Sequence, residues 1–466
     1  MATFYHPELL YAAGRFQSGV GLLVGEDGRI SKIEAKPQTP DCIVVNLPGK
    51  ALLPAFVNAH SHSFQRLIRG KAESRTVAGR NFWSWRKTMY HAAACLDPED
   101  IYDVARMAFL EMALAGTSTV GEFHYVHRTP SGRAYDDPNI LAKKVIEAAR
   151  SVGIRIVLLR TPYQRSGYEV VTNTGQSRFF ESTAEFLSNM ASLSHNFPVG
   201  SDLVHLGVAP HSIRAVPLDE LAAIVGWSRH RNFPIHMHVA EQREEVASCE
   251  REYGASPIAL LAREKLLGPD FTAVHAIHVS LEEMDQFAAS GGTICSCPTT
   301  ERNLGDGVVA ADELAMRGIR FALGSDSQAQ IDPLEDARAL DYHLRLTHEQ
   351  RVILDQIGNQ ALAGRLFECA TLNGAKSLGI PGGELEASGP ADFFTVDLSD
   401  SCIAGNSPDD LLPLIVFSLN RTAICDVAVN GRLVIRDHAH RDQQEIISRY
   451  VEVYRKVWPK SRIEVS

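Results

Sequence analysis

Residues 51–62 read ALLPAFVNAHSH, an apolar segment that ends in two histidines. The segment predicts a buried β-strand over residues 51–59, followed directly by His60 and His62. Side chains two residues apart on an extended segment point to the same side, so both imidazoles can reach one metal ion. Such a pair also arises by coincidence, and two unrelated histidines are the alternative as long as this segment is considered alone.

The middle of the chain alternates short apolar segments with longer amphipathic ones. Eight strands are predicted, at residues 51–59, 117–123, 155–159, 204–209, 234–240, 273–279, 293–297 and 320–324. Helices are predicted between them, at residues 98–115, 138–152, 218–230 and 256–267. This alternation indicates parallel strands with crossover helices, an α/β fold. Eight such strands close a (β/α)8 TIM-like barrel, which we favour over an open doubly wound sheet because no Gly-x-Gly-x-x-Gly follows the first strand.

Both ends of the chain consist of short strands broken by turn residues. Residues 26–29, EDGR, indicate one hairpin, and Asn430-Gly431 indicates another near the C-terminus. We therefore predict a small β-sandwich domain formed from the N- and C-terminal segments, residues 1–50 and 383–466, the second of which ends in a helix. The barrel then covers residues 51–382.

The charge and the composition exclude several classes of protein. The 466 residues carry 46 basic and 56 acidic side chains, a formal net charge of −10, whereas nucleic-acid-binding proteins usually show a basic excess. No run approaches about 18 uncharged apolar residues and no secretory signal is visible, so we expect no membrane partner and a cytoplasmic protein. The eight cysteines include no Cys-x-x-Cys pair, which favours reduced, buried thiols.

Three more predicted strands end in residue types that bind metals. The fifth ends in His236 and His238, with Glu241 shortly after; the sixth carries His275, and the eighth is followed by Asp326. Each alone could be a packed histidine or a helix cap. Together they place imidazoles and a carboxylate at the C-terminal face of a barrel, where barrel enzymes carry their sites, and so predict a metal centre. Imidazoles with one carboxylate suit Zn²⁺, with Fe²⁺ as an alternative.

With these residues the chain resembles the amidohydrolase superfamily, in particular its metal-dependent deaminase branch. The resemblance implies that one metal ion is bound by His60, His62, His238 and Asp326. It also places Glu241 and His275 beside the attacking water and the substrate. Two-metal members usually carry a lysine on the fourth strand, and because residues 204–210 contain none, we expect one Zn²⁺ per subunit, or one Fe²⁺.

Longer motifs are more discriminating than the metal ligands. Residues 60–66 (HSHSFQR), 82–86 (FWSWR), 122–127 (EFHYVH), 211–216 (HSIRAV) and 303–307 (NLGDG) are similar to the formimidoylglutamate deiminase family. That family converts N-formimidoyl-L-glutamate and water to N-formyl-L-glutamate and ammonia in histidine degradation. The resemblance implies that the substrate is bound by Gln65, Arg86, Tyr125, His211 and Arg214. The chain departs from the family's pattern at Gln328 and at Cys297-Pro298, neither of which is a metal ligand.

Two arginines fit a substrate with two carboxylates, because guanidinium groups bind carboxylates through paired N–H donors. Arg86 and Arg214 lie in predicted loops after strands one and four, so both can face the barrel mouth; a solvated surface charge is the alternative for each. We expect a small dicarboxylate substrate and, as among the relatives, a homodimer. Two rivals stay open: a deaminase or chlorohydrolase of purine or triazine rings, and a catalytically silent scaffold.

The expected reaction assigns a role to three of these side chains. A catalytic metal keeps one position for water and lowers the pKa of that water towards about 7. We expect Asp326 to accept the proton of this water and His275 to stabilise the tetrahedral centre. Glu241 then passes a proton to the leaving nitrogen, so that ammonia departs.

Overall fold

The computed structural model of the protein describes residues 1–37, 41–71, 73, 82–168, 170–171, 176–198, 203–355, 361–405 and 407–459. In chain order the strands are β1 (Thr3–Ala12), β2 (Arg15–Ser18), β3 (Gly21–Val24), β4 (Ile30–Glu34), β5 (Ile43–Pro54), β6 (Phe56–Ser61), β7 (Thr117–His124), β8 (Arg155–Arg160), β9 (Arg165–Gly167), β10 (Val170–Val171), β11 (Val204–Val208), β12 (Ile235–Val239), β13 (Phe271–His275), β14 (Thr293–Ser296), β15 (Arg320–Leu323), β16 (Phe393–Asp397), β17 (Ile424–Val429) and β18 (Arg432–Ile435).

The α-helices are α1 (Phe82–Cys95), α2 (Pro98–Leu114), α3 (Ile140–Val152), α4 (Thr183–Asn196), α5 (Leu218–Arg229), α6 (Arg243–Tyr253), α7 (Pro257–Arg263), α8 (Leu281–Ser290), α9 (Pro298–Leu304), α10 (Ala311–Met316), α11 (Pro333–His348), α12 (Leu362–Cys369), α13 (Leu372–Ser377), α14 (Leu411–Ser418) and α15 (Gln443–Val457). Single 3-10 turns lie at Ser63–Ile68 and Arg421–Ala423. Among the described helices, none combines the length and the apolar character that a membrane crossing requires.

Eight parallel strands form the barrel, in the order β6-β7-β8-β11-β12-β13-β14-β15. The last strand returns to the first beyond β15, where the Asp326 amide donates to the His60 carbonyl (3.0 Å) and the His62 amide donates to the Asp326 carbonyl (3.0 Å). A parallel bridge between Ser61 and Asp326 completes this contact. The predicted (β/α)8 barrel is confirmed, and the residues that close it include three of the predicted metal ligands.

The first barrel strand begins later than the prediction of residues 51–59. Residues 51–54 belong to β5 and pair with β16 in the second sheet, and Ala55 separates them from β6. Every residue from Ala51 to Ser61 is buried, so the hydrophobic pattern contains no break where the chain passes from one sheet to the other. The two strands, β5 and β6, are distinguished only by the strands with which they pair.

The two ends of the chain meet in one sheet, in the order β18-β17-β16-β5-β1-β3-β4, with β2 paired to β1. Strand β5 joins the halves, since it runs parallel to β1 and antiparallel to β16. The hydrophobic core of this sheet contains Tyr5, Leu22, Leu52 and Phe393. The predicted β-sandwich domain made from both termini is therefore present, while α15 packs instead against α2 of the barrel.

Helix α2, which leads into β7, begins with capping residues that are recognisable in the sequence. Asp97 caps its start: the Asp97 carboxylate accepts from the Asp100 amide (2.9 Å) and the Asp100 carboxylate accepts from the Asp97 amide (2.9 Å). Pro98 occupies the first helical position, where no amide donor is needed. At the end of α3, Gly153 adopts a φ of 94°, a conformation that favours glycine and stops the helix.

A buried ion pair holds the loops that follow β7 and β8. Arg160, the last residue of β8, is fully buried, and its Nη2 lies 2.8 Å from Glu181 Oε1. Asn139 accepts from Arg160 Nε (3.0 Å) and Asn189 donates to Glu181 (2.7 Å). Burial alone raises the pKa of Glu181, but His127 and Arg160 outweigh it and hold that pKa at about 2. The pair thus ties Glu181, just before α4, to the end of β8.

We expect Glu181→Gln to lower the free energy of unfolding by about 3 kcal/mol, because it leaves the Arg160 charge buried without its counter-ion. Urea unfolding followed by circular dichroism measures the change. Since the pKa is lowered in the folded state to about 2, the stabilisation is present above the unfolded value of about 4.3 and is lost as the pH falls towards the folded value.

The control for this variant is Glu244→Gln. Glu244 pairs with Arg251 at the surface, where the two side chains are 65% and 63% exposed. Exposed pairs of this kind contribute little, so the urea midpoint should not move. An equal loss of stability in the two variants would show that burial of the Arg160–Glu181 pair has no special weight.

Candidate active site

Four side chains at the C-terminal end of the barrel bring their ligand atoms within 4.8 Å of one another: His60, His62, His238 and Asp326. His60 Nε2 lies 3.1 Å from His238 Nε2 and 3.3 Å from Asp326 Oδ1, and His62 Nε2 lies 3.2 Å from the same oxygen. A tetrahedral Zn²⁺ with bonds of about 2.0–2.1 Å separates neighbouring ligand atoms by roughly 3.3 Å. The spacing of this cluster therefore fits one such ion.

Backbone carbonyls orient two of the histidines. His62 Nδ1 lies 2.9 Å from the Phe123 carbonyl and His238 Nδ1 lies 3.0 Å from the His211 carbonyl. An Nδ1–H donated in this way leaves Nε2 free of a proton and directed into the cluster. Burial lowers the pKa of His60 to about 3 and that of His238 well below its ordinary value. Both are therefore neutral, the form in which imidazole binds a metal.

Glu122 on β7 braces the segment that carries the first two histidines. Its carboxylate accepts from Ser61 Oγ (2.6 Å), from the Ser63 amide (2.7 Å) and from Ser63 Oγ (2.7 Å). Gln328 donates to Ser61 Oγ (2.9 Å) and accepts from Ser325 Oγ (3.0 Å). Gln328, where the sequence departs from the family's pattern, is thus fully buried in a ring of hydrogen bonds behind the ligands.

On the other side of the cluster, a histidine lies close to three carboxylates. His275 Nδ1 is 3.3 Å from Glu301 Oε1, while its Nε2 faces Asp326 Oδ2 at 3.8 Å and Glu241 Oε1 at 4.0 Å. Burial would lower the pKa of His275, but these three carboxylates raise it well above its ordinary value. Burial raises the pKa of Glu241. The arrangement joins a cationic imidazole to a carboxyl group that can hold a proton, as acid–base chemistry requires.

A pocket opens from this charged group. All five predicted substrate-binding residues line it: Gln65, Arg86, Tyr125, His211 and Arg214. The two arginines are only 8% and 7% exposed, so the alternative of solvated surface charges is wrong for both. Burial lowers the pKa of Arg214, but Tyr163, Glu245 and Glu241 more than reverse this, so it stays charged.

Arg86 lies on helix α1, which corrects the prediction of a loop for this residue. Its position on a helix places Met89 and Tyr90, three and four residues later, on the same face, and both line the pocket with it. The helix begins with the aromatic-rich sequence FWSW, which shows no regular helical period, so the sequence did not predict it. Arg214 does lie in the loop after β11, as predicted.

The sequence did not single out Tyr90, Tyr163, Glu122 or Glu301. Tyr90 and Tyr163 line the pocket, and the two glutamates hold the ligand segment and His275. Tyr163 follows the third barrel strand by three residues, a position typical of site residues in barrels, so its signal was available. The two glutamates could not be recognised, because a carboxylate that acts through its neighbours has no spacing of its own.

The family assignment rests on this barrel, on the cluster at its end and on a match between the sequence and a known protein family. Residues 51–434 match the amidohydrolase family. The chain belongs to the amidohydrolase family. Members of this family are metal-dependent, which agrees with the three histidines and the aspartate gathered here.

Two relatives illustrate its similarity within the amidohydrolases. The chain is 34% identical to formimidoylglutamate deiminase of Pseudomonas aeruginosa, over 87% of this chain and 89% of that protein. It is 26% identical to 5-methylthioadenosine/S-adenosylhomocysteine deaminase of Pyrococcus abyssi, over 92% of this chain and 93% of that protein. This amidohydrolase is accordingly a deaminase, a hydrolase that acts on C–N bonds.

Solved structures share the whole architecture. An amidohydrolase from Brucella melitensis superposes with a TM-score of 0.88 at 31% identity, covering 98% of this chain and 99% of that one. An adenosine deaminase from Xanthomonas campestris with bound zinc has a TM-score of 0.83 at 21% identity, covering 98% of both chains, and shows the same fold.

We expect His238→Asn to abolish retention of the metal, because it removes one of the four ligands. The matched control is His236→Gln on the same strand: His236 is equally buried, but its Nε2 faces the Ser377 carbonyl at 2.8 Å, away from the cluster. Metal per chain, measured by elemental analysis after gel filtration, should fall to about a tenth or less only in His238→Asn. Equal metal contents in the two variants would contradict the assigned ligand set.

Proposed function

We propose that the protein hydrolyses N-formimidoyl-L-glutamate to N-formyl-L-glutamate and ammonia. The observation that carries the proposal is the pair of buried guanidiniums, Arg86 and Arg214, in the pocket that opens from the His–Asp cluster. Both guanidiniums line the pocket, and guanidinium groups bind carboxylates through paired donors. A substrate with two carboxylates offers one such group to each arginine.

Gln65 supports an amidine as the reacting group. Its Nε2 donates to the Tyr125 hydroxyl (2.7 Å), which leaves Oε1 as an acceptor at the pocket wall. Oε1 is buried and has no hydrogen-bond partner among the described residues. A buried acceptor without a donor is unfavourable, and the N–H groups of a formimidoyl group are donors that satisfy it.

When bound, the metal ion supplies Lewis acidity and an activated water. Asp326, one of the four residues that would hold the ion, would accept the proton of the water that attacks the formimidoyl carbon. His275, held by Glu301, faces the reacting centre with its charged Nε2–H and stabilises the developing negative charge. Glu241 delivers a proton to the terminal nitrogen, the C–N bond to that nitrogen breaks, and ammonia leaves while the oxygen stays as the formyl carbonyl.

We propose Zn²⁺ as the metal, one ion per subunit, with Fe²⁺ as the alternative, since three imidazoles and one carboxylate suit either ion. The homodimer and the absence of nucleic-acid and membrane partners stay predictions. A purine or triazine substrate is the weaker hypothesis, because a neutral ring has no carboxylate for either arginine to bind. A silent scaffold is weaker still, because the ligand set and Glu241 lie together in one buried site.

The substrate is tested by the products of hydrolysis. We expect the metal-loaded protein to release ammonia and N-formyl-L-glutamate from N-formimidoyl-L-glutamate, measured by a coupled ammonia assay and mass spectrometry, and to leave 5-methylthioadenosine unchanged. Release of formamide would indicate cleavage of the other C–N bond and overturn the proposed proton delivery. Turnover of 5-methylthioadenosine at a higher kcat/KM would favour the ring deaminase.

The role of Glu241 is tested by Glu241→Gln, which keeps the size of the side chain and removes its proton chemistry. We expect kcat to fall by roughly 10²–10⁴, because a positioned acid–base group contributes about that factor. Metal content should be unchanged, since Glu241 is not one of the four ligands. Glu244→Gln, three residues away on the surface, is the control and should retain full kcat. Full turnover in Glu241→Gln would refute the assigned role.

A further inference from the structure

Tyr163 lies at the pocket wall, three residues beyond the buried Arg160. Its side chain is 3% exposed, and its ring packs edge-on against His211, with ring centroids 4.6 Å apart. Phe179 lies on another side of the ring at 5.9 Å. The phenol therefore has a fixed position, and its hydroxyl is at the end of the pocket that carries Arg86.

The hydroxyl of Tyr163 accepts two hydrogen bonds. Arg86 Nη2 donates to it at 2.6 Å, and Gln176 Nε2 donates to it at 2.8 Å. Gln176 Nε2 also donates to the hydroxyl of Tyr90 at 2.7 Å. A phenol oxygen can accept two hydrogen bonds and donate one. The two accepting positions of Tyr163 are thus filled, and only its O–H proton is left to donate.

The two phenols hold one proton more than their own oxygens can accept. Arg86 and the Gln176 amide nitrogen are donors only, so they cannot accept it. If Tyr163 donates to Tyr90, the Tyr90 proton cannot return, because Tyr163 already accepts twice. In either arrangement one phenolic O–H next to the Arg86 guanidinium requires an acceptor from outside this group.

We propose that Tyr163 is a specificity-determining residue, which positions the Arg86 guanidinium through Nη2 and completes with it a binding site for one carboxylate of the substrate. A carboxylate suits this site: it is planar, accepts several hydrogen bonds and has the charge opposite to that of Arg86. Since Tyr163 is fixed by its ring contacts and by Gln176, the carboxylate is held at a fixed distance from the metal cluster. The inference rests on the proposed function for the identity of the substrate, but not for the presence of a carboxylate.

The test is Tyr163→Phe, which keeps the ring on His211 and Phe179 and removes only the hydroxyl. With N-formimidoyl-L-glutamate we expect KM to rise by roughly 10–100-fold, the loss of one or two hydrogen bonds to a charged group. The kcat should stay within about threefold, because the hydroxyl does not touch the reacting atoms. A control is Tyr5→Phe in the β-sandwich, where the hydroxyl donates to the Gly431 carbonyl (2.7 Å) away from the pocket, and KM should not change.

Two substrate analogues make the result specific. The α-amide and the γ-amide of N-formimidoyl-L-glutamate each lack one carboxylate. For one of these two, wild type and Tyr163→Phe should have the same KM, because the group that Tyr163 contacts has been removed. A variant that raises KM equally for all three compounds, or that lowers kcat at unchanged KM, would reduce Tyr163 to a structural role and overturn the inference.

Binding of glutarate, a dicarboxylate without the reacting group, separates this inference from the proposed function. Isothermal titration of the metal-loaded protein should give a dissociation constant that rises by the same roughly 10–100-fold in Tyr163→Phe. If wild type binds glutarate but does not hydrolyse N-formimidoyl-L-glutamate, the proposed function fails while the carboxylate site stands. If glutarate binds equally to wild type and variant, the carboxylate site is wrong whatever the substrate is.

Discussion

The barrel closes through the residues that would bind the metal. The backbone bonds between Asp326 and the His60–His62 segment join the eighth strand to the first, so the same residues complete the sheet and gather the ligand atoms. Glu122 and Gln328 then hold this segment from behind with four hydrogen bonds to Ser61 and Ser63. The geometry of the ligand cluster therefore depends on closure of the barrel. A change that breaks the contact between the first and eighth strands alters the site as well as the fold.

Several buried charged side chains surround the ligand cluster. The neutral imidazoles of His60 and His238 and the ionised Asp326 lie at the position that would hold the metal. Beside them His275 is kept cationic by carboxylates, and beyond them lie the guanidiniums of Arg86 and Arg214. These charges are buried, and the carboxylates around His275 and Arg214 stabilise them in a low-dielectric pocket.

The substrate end of the pocket depends on segments that the barrel only anchors. Arg86 comes from α1, Arg214 from the loop after β11, and Tyr163 from the loop after β8. The Arg160–Glu181 pair fixes the last of these to the strand end. Loops vary more readily than the strands that carry them, so the metal cluster is compatible with many substrates, and we propose that the arginine and phenol positions decide which one binds.

The sequence by itself determined the barrel and the sandwich made from both termini, because periodic burial is a local pattern, and its strand-end histidines indicated a metal centre. The resemblance to a family then supplied the four ligands and named five of the side chains that line the pocket. The tertiary structure alone decided that residues 51–54 pair with β16, that Arg86 lies on a helix, and that His236 faces Ser377 instead of the cluster. It likewise decided the roles of Glu122, Glu301 and Tyr163, since each acts by contact with residues distant in the chain, and such contacts leave no spacing that a sequence can show.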